Sequence, residues 1–248
     1  MKRRSVPRVR HRLTTLICLL PPSGFKTKVL NWLGHQIHPT VRMGICWVQH
    51  VDRFELAEGV TIGHFNAFRN LAKVHMGIGS RIRIFNWILG GSGLEPGLPP
   101  DERGLRRTLQ VGDHAHIISF HFLDCGGGLL MEDDTWMTGI RSTVLSHAFD
   151  PHEGGMILEP VEIRQGAVVS TSCTMLPGAV VGEGALLAAG STLWTRQELK
   201  GGNLYGGVPA RRLGSIEISD WVYNRRRYGG DRPSDSFRQI DDGGPRHD

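Results

Sequence analysis

The chain has 248 residues, enough for one large domain or two small ones, with 40% hydrophobic and only 7% aromatic residues. Its 33 glycines favour a fold with many backbone turns over a helical bundle, because glycine enters positive φ without steric cost. The net charge of +5 is that of a nucleic-acid binder at first sight, yet Lys2, Arg3, Arg4, Arg8, Arg10 and Arg12 account for more than all of it, and no nucleic-acid reader motif accompanies them.

Residues 1–53 read as this basic arm followed by a lead-in segment. The apolar run Leu13 to Leu20 ends at Pro21 and Pro22, well short of the about 20 residues that a membrane span needs, and no small-x-small cleavage site follows. Two readings remain open: an arm packed on its own domain, or a peripheral contact in which apolar burial adds to attraction between arginines and anionic lipid. A short helix is expected around Phe25 to Leu33. The four cysteines, Cys18, Cys46, Cys125 and Cys173, show no CxxC spacing, so a reducing cytoplasm fits better than a disulfide framework or zinc site.

From residue 54 a repeat emerges. Leu56, Ile62 and Phe68 open six-residue units, and Ile78–Ile84, Val111–Ile117 and Met131–Met137 carry weaker copies whose register slips between groups. The stretch 90–104 is too rich in Gly and Pro for regular structure and reads as a loop leaving the repeat. Between 163 and 192 the period is unbroken, and Gln197 ends the run. Position one is Ile163, Val169, Met175, Val181, Leu187 and Leu193; position five is the small Ala167, Cys173, Ala179, Ala185 and Ser191. Neither a helical period of 3.6 nor a strand period of two gives this pattern. A triangular coil does, with a short strand and a corner per unit and three units per turn, position one filling the interior. Beyond 213, Ser215 to Tyr228 suits a helix, and 229–248 lacks the apolar content for a core.

The repeat, together with the Leu204–Leu213 segment that contains Gly-Val-Pro-Ala-Arg, resembles the hexapeptide-repeat acyltransferases. The block from His121 to Asp150 resembles the polysaccharide-biosynthesis O-acetyltransferase branch. The resemblance spans about residues 54–213 and implies an all-β, left-handed parallel β-helix with short helical extensions, assembled as a homotrimer. It also implies acetyl-CoA as co-substrate and a sugar or glycan hydroxyl as acceptor. Arg164, Ser170 and Glu132 stand where the family usually has glycine.

The same resemblance places His147 as general base, a role that suits imidazole because its pKa lies near working pH. Asp150 or a backbone carbonyl is left to orient its ring. By the same carry-over Thr171 and Ala189 line the pantetheine arm, while Thr195, Arg196 and Arg211 face the nucleotide end, where guanidinium groups suit phosphate. Gly126, Gly127 and Gly128 lack the context of a phosphate loop and read as a tight corner. No metal is expected. Two rivals stay open: a γ-class carbonic anhydrase binding metal through His116, His121 and His147, and a non-catalytic β-helix scaffold.

Overall fold

A computed structural model of the chain describes residues 8–91, 101–152 and 154–217. The chain winds as a left-handed parallel β-helix with three faces. The first face carries Gln36–Ile37, Phe54–Leu56, Lys73–Met76, Thr108–Val111, Leu129–Met131, Val161–Ile163, Val180–Val181 and Glu198–Leu199. The second runs from Arg42–Met43 through His116–Ile117 and Val168–Val169 to Asn203–Gly206, and the third from Trp47–Gln49 through Phe122–Asp124 to Thr192–Leu193.

The six-residue grammar explains the packing. All position-one residues from Ile163 to Leu193, and all position-five residues from Ala167 to Ser191, are fully buried. Each large aliphatic removed from water contributes roughly 1.5–3 kcal/mol. Position four takes positive φ throughout: Gly166, Gly178, Gly184 and Gly190 do so readily, and Ser172 and Arg196 adopt the same φ of 57° and 58°. The upstream slip has a simple cause. Glu55 pairs with His75 and Gln110 with Leu130, twenty residues apart, whereas Glu162, Val180 and Glu198 pair at intervals of eighteen. The extra residues sit in the corners, so strands stay aligned while the sequence period is lost.

The coil begins earlier than the boundary at residue 54, since Gln36–Ile37 already pairs in parallel with Phe54–Leu56. Ahead of it, helices α1 (Arg8–Cys18) and α2 (Gly24–Trp32) close the open end, α2 matching the helix expected at Phe25 to Leu33. Ser23 caps α2 by accepting from Lys26 N. The Lys26 side chain is buried and donates to the carbonyls of Cys18, Leu20, Met43 and Gly44, tying the C-terminus of α1 to the first coil. At the far end Arg211–Ser215 turns back antiparallel on Asn203–Gly206 and covers the last rung of the second face. Ser215 therefore ends a strand and Ile216 and Glu217 take no regular structure; residues 218–228 of the expected helix, the tail, and residues 92–100 of the loop lie outside the described residues.

Candidate active site

Both excursions from the coil leave at the edge between the third and first faces. One follows Trp87–Leu89. The other is a hairpin, His147–Asp150 paired with Gly155–Leu158, inserted between Thr143–Val144 and Val161–Ile163. His147 opens that hairpin and is held twice by one carboxylate. Its backbone N donates to Asp124 Oδ2 at 3.1 Å, and its ring Nδ1 meets the same oxygen at 2.6 Å.

Asp124 ends the third-face strand of the preceding coil and is only 2% exposed. Its burial is offset by donors converging on it: Gly126 N on Oδ1 at 3.1 Å and Ser146 N on Oδ2 at 2.9 Å. The Ser146 hydroxyl donates to Asp124 O at 2.8 Å and accepts from Gly127 N at 2.9 Å. Because an ionised carboxylate only accepts, this network assigns the ring proton to Nδ1 and leaves the lone pair on Nε2. The ring is 40% exposed, so the basic nitrogen is open to a ligand.

A cavity of about 260 Å³ opens here, lined by Arg69, Asn70, Leu89, Phe122, Asp124 and His147. Next to Asp124, Gly126, Gly127 and Gly128 are required by close approach. A side chain on Gly127 would collide with Ser146 O and lie 2.6 Å from Glu159 N, and one on Gly128 would lie 2.6 Å from Leu105 O. They are a tight crossing of three chain segments, as the sequence suggests.

Asp150 is not the ring's partner. It sits at the hairpin tip, where its Oδ1 accepts from His152 N at 2.8 Å. Asp124 was hidden from sequence reasoning because it lies 23 residues upstream, although one coil of about twenty residues is enough to bring it beneath Ser146 and His147.

The residues expected to hold the donor fall into separate groups. Thr195 and Arg196 lie on the His147 edge two coils further on, where Arg196 Nε donates to both Glu159 oxygens at 2.8 and 2.9 Å. Thr171 and Ala189 lie on the opposite edge of the third face, between the second and third faces. Thr171 Oγ1 bridges to Ile140 N and O there, and Ala189 and Gly190 are exposed, with open space over Gly190. Arg211 is exposed on the closing strand.

Within one chain the three histidines of the metal rival, which would share a subunit interface, do not converge. His116 is on the second face with its ring edge-on to Trp136 at 5.6 Å. His121 is buried, its Nδ1 accepts from Ser142 N at 3.1 Å, and burial pushes its pKa down to about 4. Among the described residues no cluster of three or more His, Cys, Asp or Glu is placed to hold a metal. All four cysteines are free and buried, and burial raises each thiol, Cys18 to about 12 and Cys46 to about 11, which removes them as nucleophiles.

The class of protein these features define is a left-handed hexapeptide-repeat β-helix with a His–Asp pair on one edge. No protein-family model and no curated protein sequence matches the chain. Solved structures do match its fold. One is a variant of AntD, an N-acyltransferase from Bacillus cereus, in complex with dTDP-4-amino-4,6-dideoxyglucose and coenzyme A: 16% identity, 82% of this chain and 95% of that chain covered, TM-score 0.53. A second variant of that enzyme, bound to dTDP and coenzyme A, gives 19% identity over 69% of this chain and 85% of that one, TM-score 0.50. A hexapeptide-repeat acetyltransferase from Vibrio cholerae O1 biovar eltor, complexed with acetyl coenzyme A, gives 15% identity over 85% and 87%, TM-score 0.42. The similarity at this level is one of fold.

Proposed function

We propose that this chain is a coenzyme A-dependent acyltransferase that moves an acetyl group from acetyl-CoA to a hydroxyl of a sugar or glycan precursor, with His147 as general base. The observation that carries this reading is the His147–Asp124 pair, with Nδ1 committed and Nε2 open to the cavity. As the acceptor oxygen bonds to the acyl carbon, His147 Nε2 takes its proton; as the carbon–sulfur bond breaks, the imidazolium returns that proton to the departing thiolate. Asp124 stabilises the transient positive charge and fixes the tautomer. A sugar acceptor is supported by the fold shared with an enzyme whose complex contains an amino-sugar nucleotide.

The donor contacts assigned by resemblance, Thr171, Ala189, Thr195, Arg196 and Arg211, flank two diverging edges of one prism. A single ligand touching both sets bridges two copies, which supports the homotrimer. The small, open ledge at Ala189 and Gly190 suits close passage of an extended arm, whereas Arg196 reaches phosphate only by sharing its guanidinium with Glu159.

Peripheral membrane contact at the cytoplasmic face belongs to the same reading. Among the described residues no helix is long and apolar enough to cross a membrane. Yet Val9, Leu13 and Leu16 on α1, and Leu20 just after it, form an exposed stripe beside the exposed Arg8 and Arg12. A helix that packs wholly on its own domain buries such a stripe. An anionic surface satisfies both the leucines and the arginines.

Release of free coenzyme A with nucleotide-linked and lipid-linked sugars, hydroxyl and amine acceptors alike, tests the activity beside His147→Ala. Loss of about a hundredfold or more in the variant is expected, within the range that general bases contribute. Activity surviving the substitution largely intact refutes the assignment, and acetylation confined to amines refutes the hydroxyl acceptor.

A further inference from the structure

We infer that Arg69 makes the acceptor pocket selective for sugars bearing an anionic group, a phosphate or a carboxylate, placed about one ring away from the atom that is acylated. The inference rests on the acyltransferase reading of His147 and adds the class of acceptor.

Arg69 ends the strand Ala67–Arg69 and is in register with Leu89 and, one coil further, with Asp124. Two strand spacings of about 4.8 Å therefore put its backbone roughly 10 Å from that of Asp124 along one column of the third face. Arg69 lines the same cavity as His147, two rungs away from Asp124. Between them Leu89 and the half-exposed ring of Phe122 form an apolar wall, a surface suited to the C–H face of a pyranose.

The charge of Arg69 is not used among the described residues. Other arginines near this edge are committed: Arg103 to Glu162 and Arg196 to Glu159. Arg107, behind Asn70, donates through Nε to Asn70 O at 2.6 Å. Arg69 has no hydrogen-bond or ion-pair partner among the described residues. The carboxylate sharing its cavity, Asp124, is turned away onto Gly126, Ser146 and His147. An unpaired guanidinium at one end, a basic nitrogen at the other and an aromatic wall between them match a sugar with a negative substituent, and guanidinium is the side chain best shaped for either oxyanion.

The test compares binding by calorimetry of hexose 1-phosphates, hexuronic acids and the parent neutral hexoses to the full chain, Arg69→Gln and Arg69→Lys, with acetyl transfer to the same compounds. Wild type is expected to prefer at least one anionic series over its neutral parents by about 10- to 100-fold, the worth of one charge-assisted contact. Arg69→Gln abolishes that preference, Arg69→Lys keeps part of it, and in turnover the loss appears in the acceptor KM with the KM for acetyl-CoA unchanged. Which series is preferred identifies phosphate or carboxylate as the source of the charge. Arg69 is exposed, so both variants keep the parent's melting temperature. Equal binding of neutral and anionic sugars by wild type, or a preference that survives Arg69→Gln, overturns the inference. Absence of acetyl transfer alongside intact charge preference instead counts against the acyltransferase reading.

Discussion

Asp124→Asn is the sharpest perturbation of the proposed chemistry because it keeps shape and removes charge. Oδ2 receives Ser146 N, His147 N and His147 Nδ1, whereas Oδ1 receives only Gly126 N. The amide therefore settles with its oxygen in the Oδ2 position and its NH₂ against Gly126 N–H, so the His147 ring keeps its tautomer and orientation. One backbone hydrogen bond is replaced by two facing donors, a cost of about 1–3 kcal/mol in stability. The larger effect falls on the transition state. Two unit charges about 4 Å apart attract by about 4 kcal/mol at an effective dielectric of 20. The His147 ring is 40% exposed, and solvent screening reduces that to about 2–3 kcal/mol, roughly 30- to 150-fold in kcat. Coenzyme A release at saturating acetyl-CoA, with melting curves on the same preparations, measures both quantities. A variant that melts lower but turns over within about threefold of wild type refutes the argument, because Asp124 would then be only a structural clamp.

Gly127→Ala is expected to cost about 3 kcal/mol, since the colliding atoms, Ser146 O and Glu159 N, are backbone and cannot rotate away; chemical denaturation reads this directly, and unchanged stability contradicts the close approach. Acid should weaken the fold through His35 and His121, both held neutral with pKa pushed down to about 4, His35 by burial and then by the nearby Arg10, His11 and Arg53. Their unfolded forms take up protons below about pH 6.5, so the stability they confer is full above that pH and is lost as pH falls to about 4, by roughly 3 kcal/mol per ring. His121→Asn should flatten urea midpoints over that window by about half. Leu13→Glu with Leu16→Glu should abolish sedimentation with vesicles containing anionic lipid while leaving acetyl transfer to a soluble acceptor intact; unchanged co-sedimentation removes the helix stripe from the proposal. Mixing His147→Ala with Ala189→Trp subunits after co-refolding should restore about a quarter of wild-type activity if each site is shared by two copies, and none if it lies within one.

The coil was legible where corners are short. Between 163 and 197 every unit spends six residues, so inward positions recur in phase, and even Cys173 could be read as a small inward side chain. Upstream, corners absorb extra residues without disturbing strand pairing. Phe65, Phe85 and Phe120 occupy equivalent positive-φ corner positions, and their rings stack at 5.1 and 5.2 Å. That contact offsets the strain of a left-handed phenylalanine, and it is visible only in three dimensions. For the same reason the first coil at Gln36 to Gln49 escaped detection, because its interior is shared with the capping helices and no six-residue copy precedes it.

The site was legible only at the residue whose neighbours carry a motif. His147 was singled out through the block around it; its partner Asp124 and the cavity residues Arg69 and Phe122 come from earlier coils. A helical solenoid converts distance along the chain into adjacency on an edge, and each rung contributes one or two side chains to any site built there. Local spacing therefore cannot show such a site, but the coil length can. Once Gln110 and Leu130 are known to stack, Asp124 must fall beside Leu145 to His147, and Arg69 must share its column by way of Leu89. The same logic separates Thr171 and Ala189 from His147. Their corner lies across the third face, and no change of rotamer brings them to the base within one prism. If these residues hold the donor, the complete active site is a property of the assembly, and the edge bearing His147 supplies the base and the acceptor pocket.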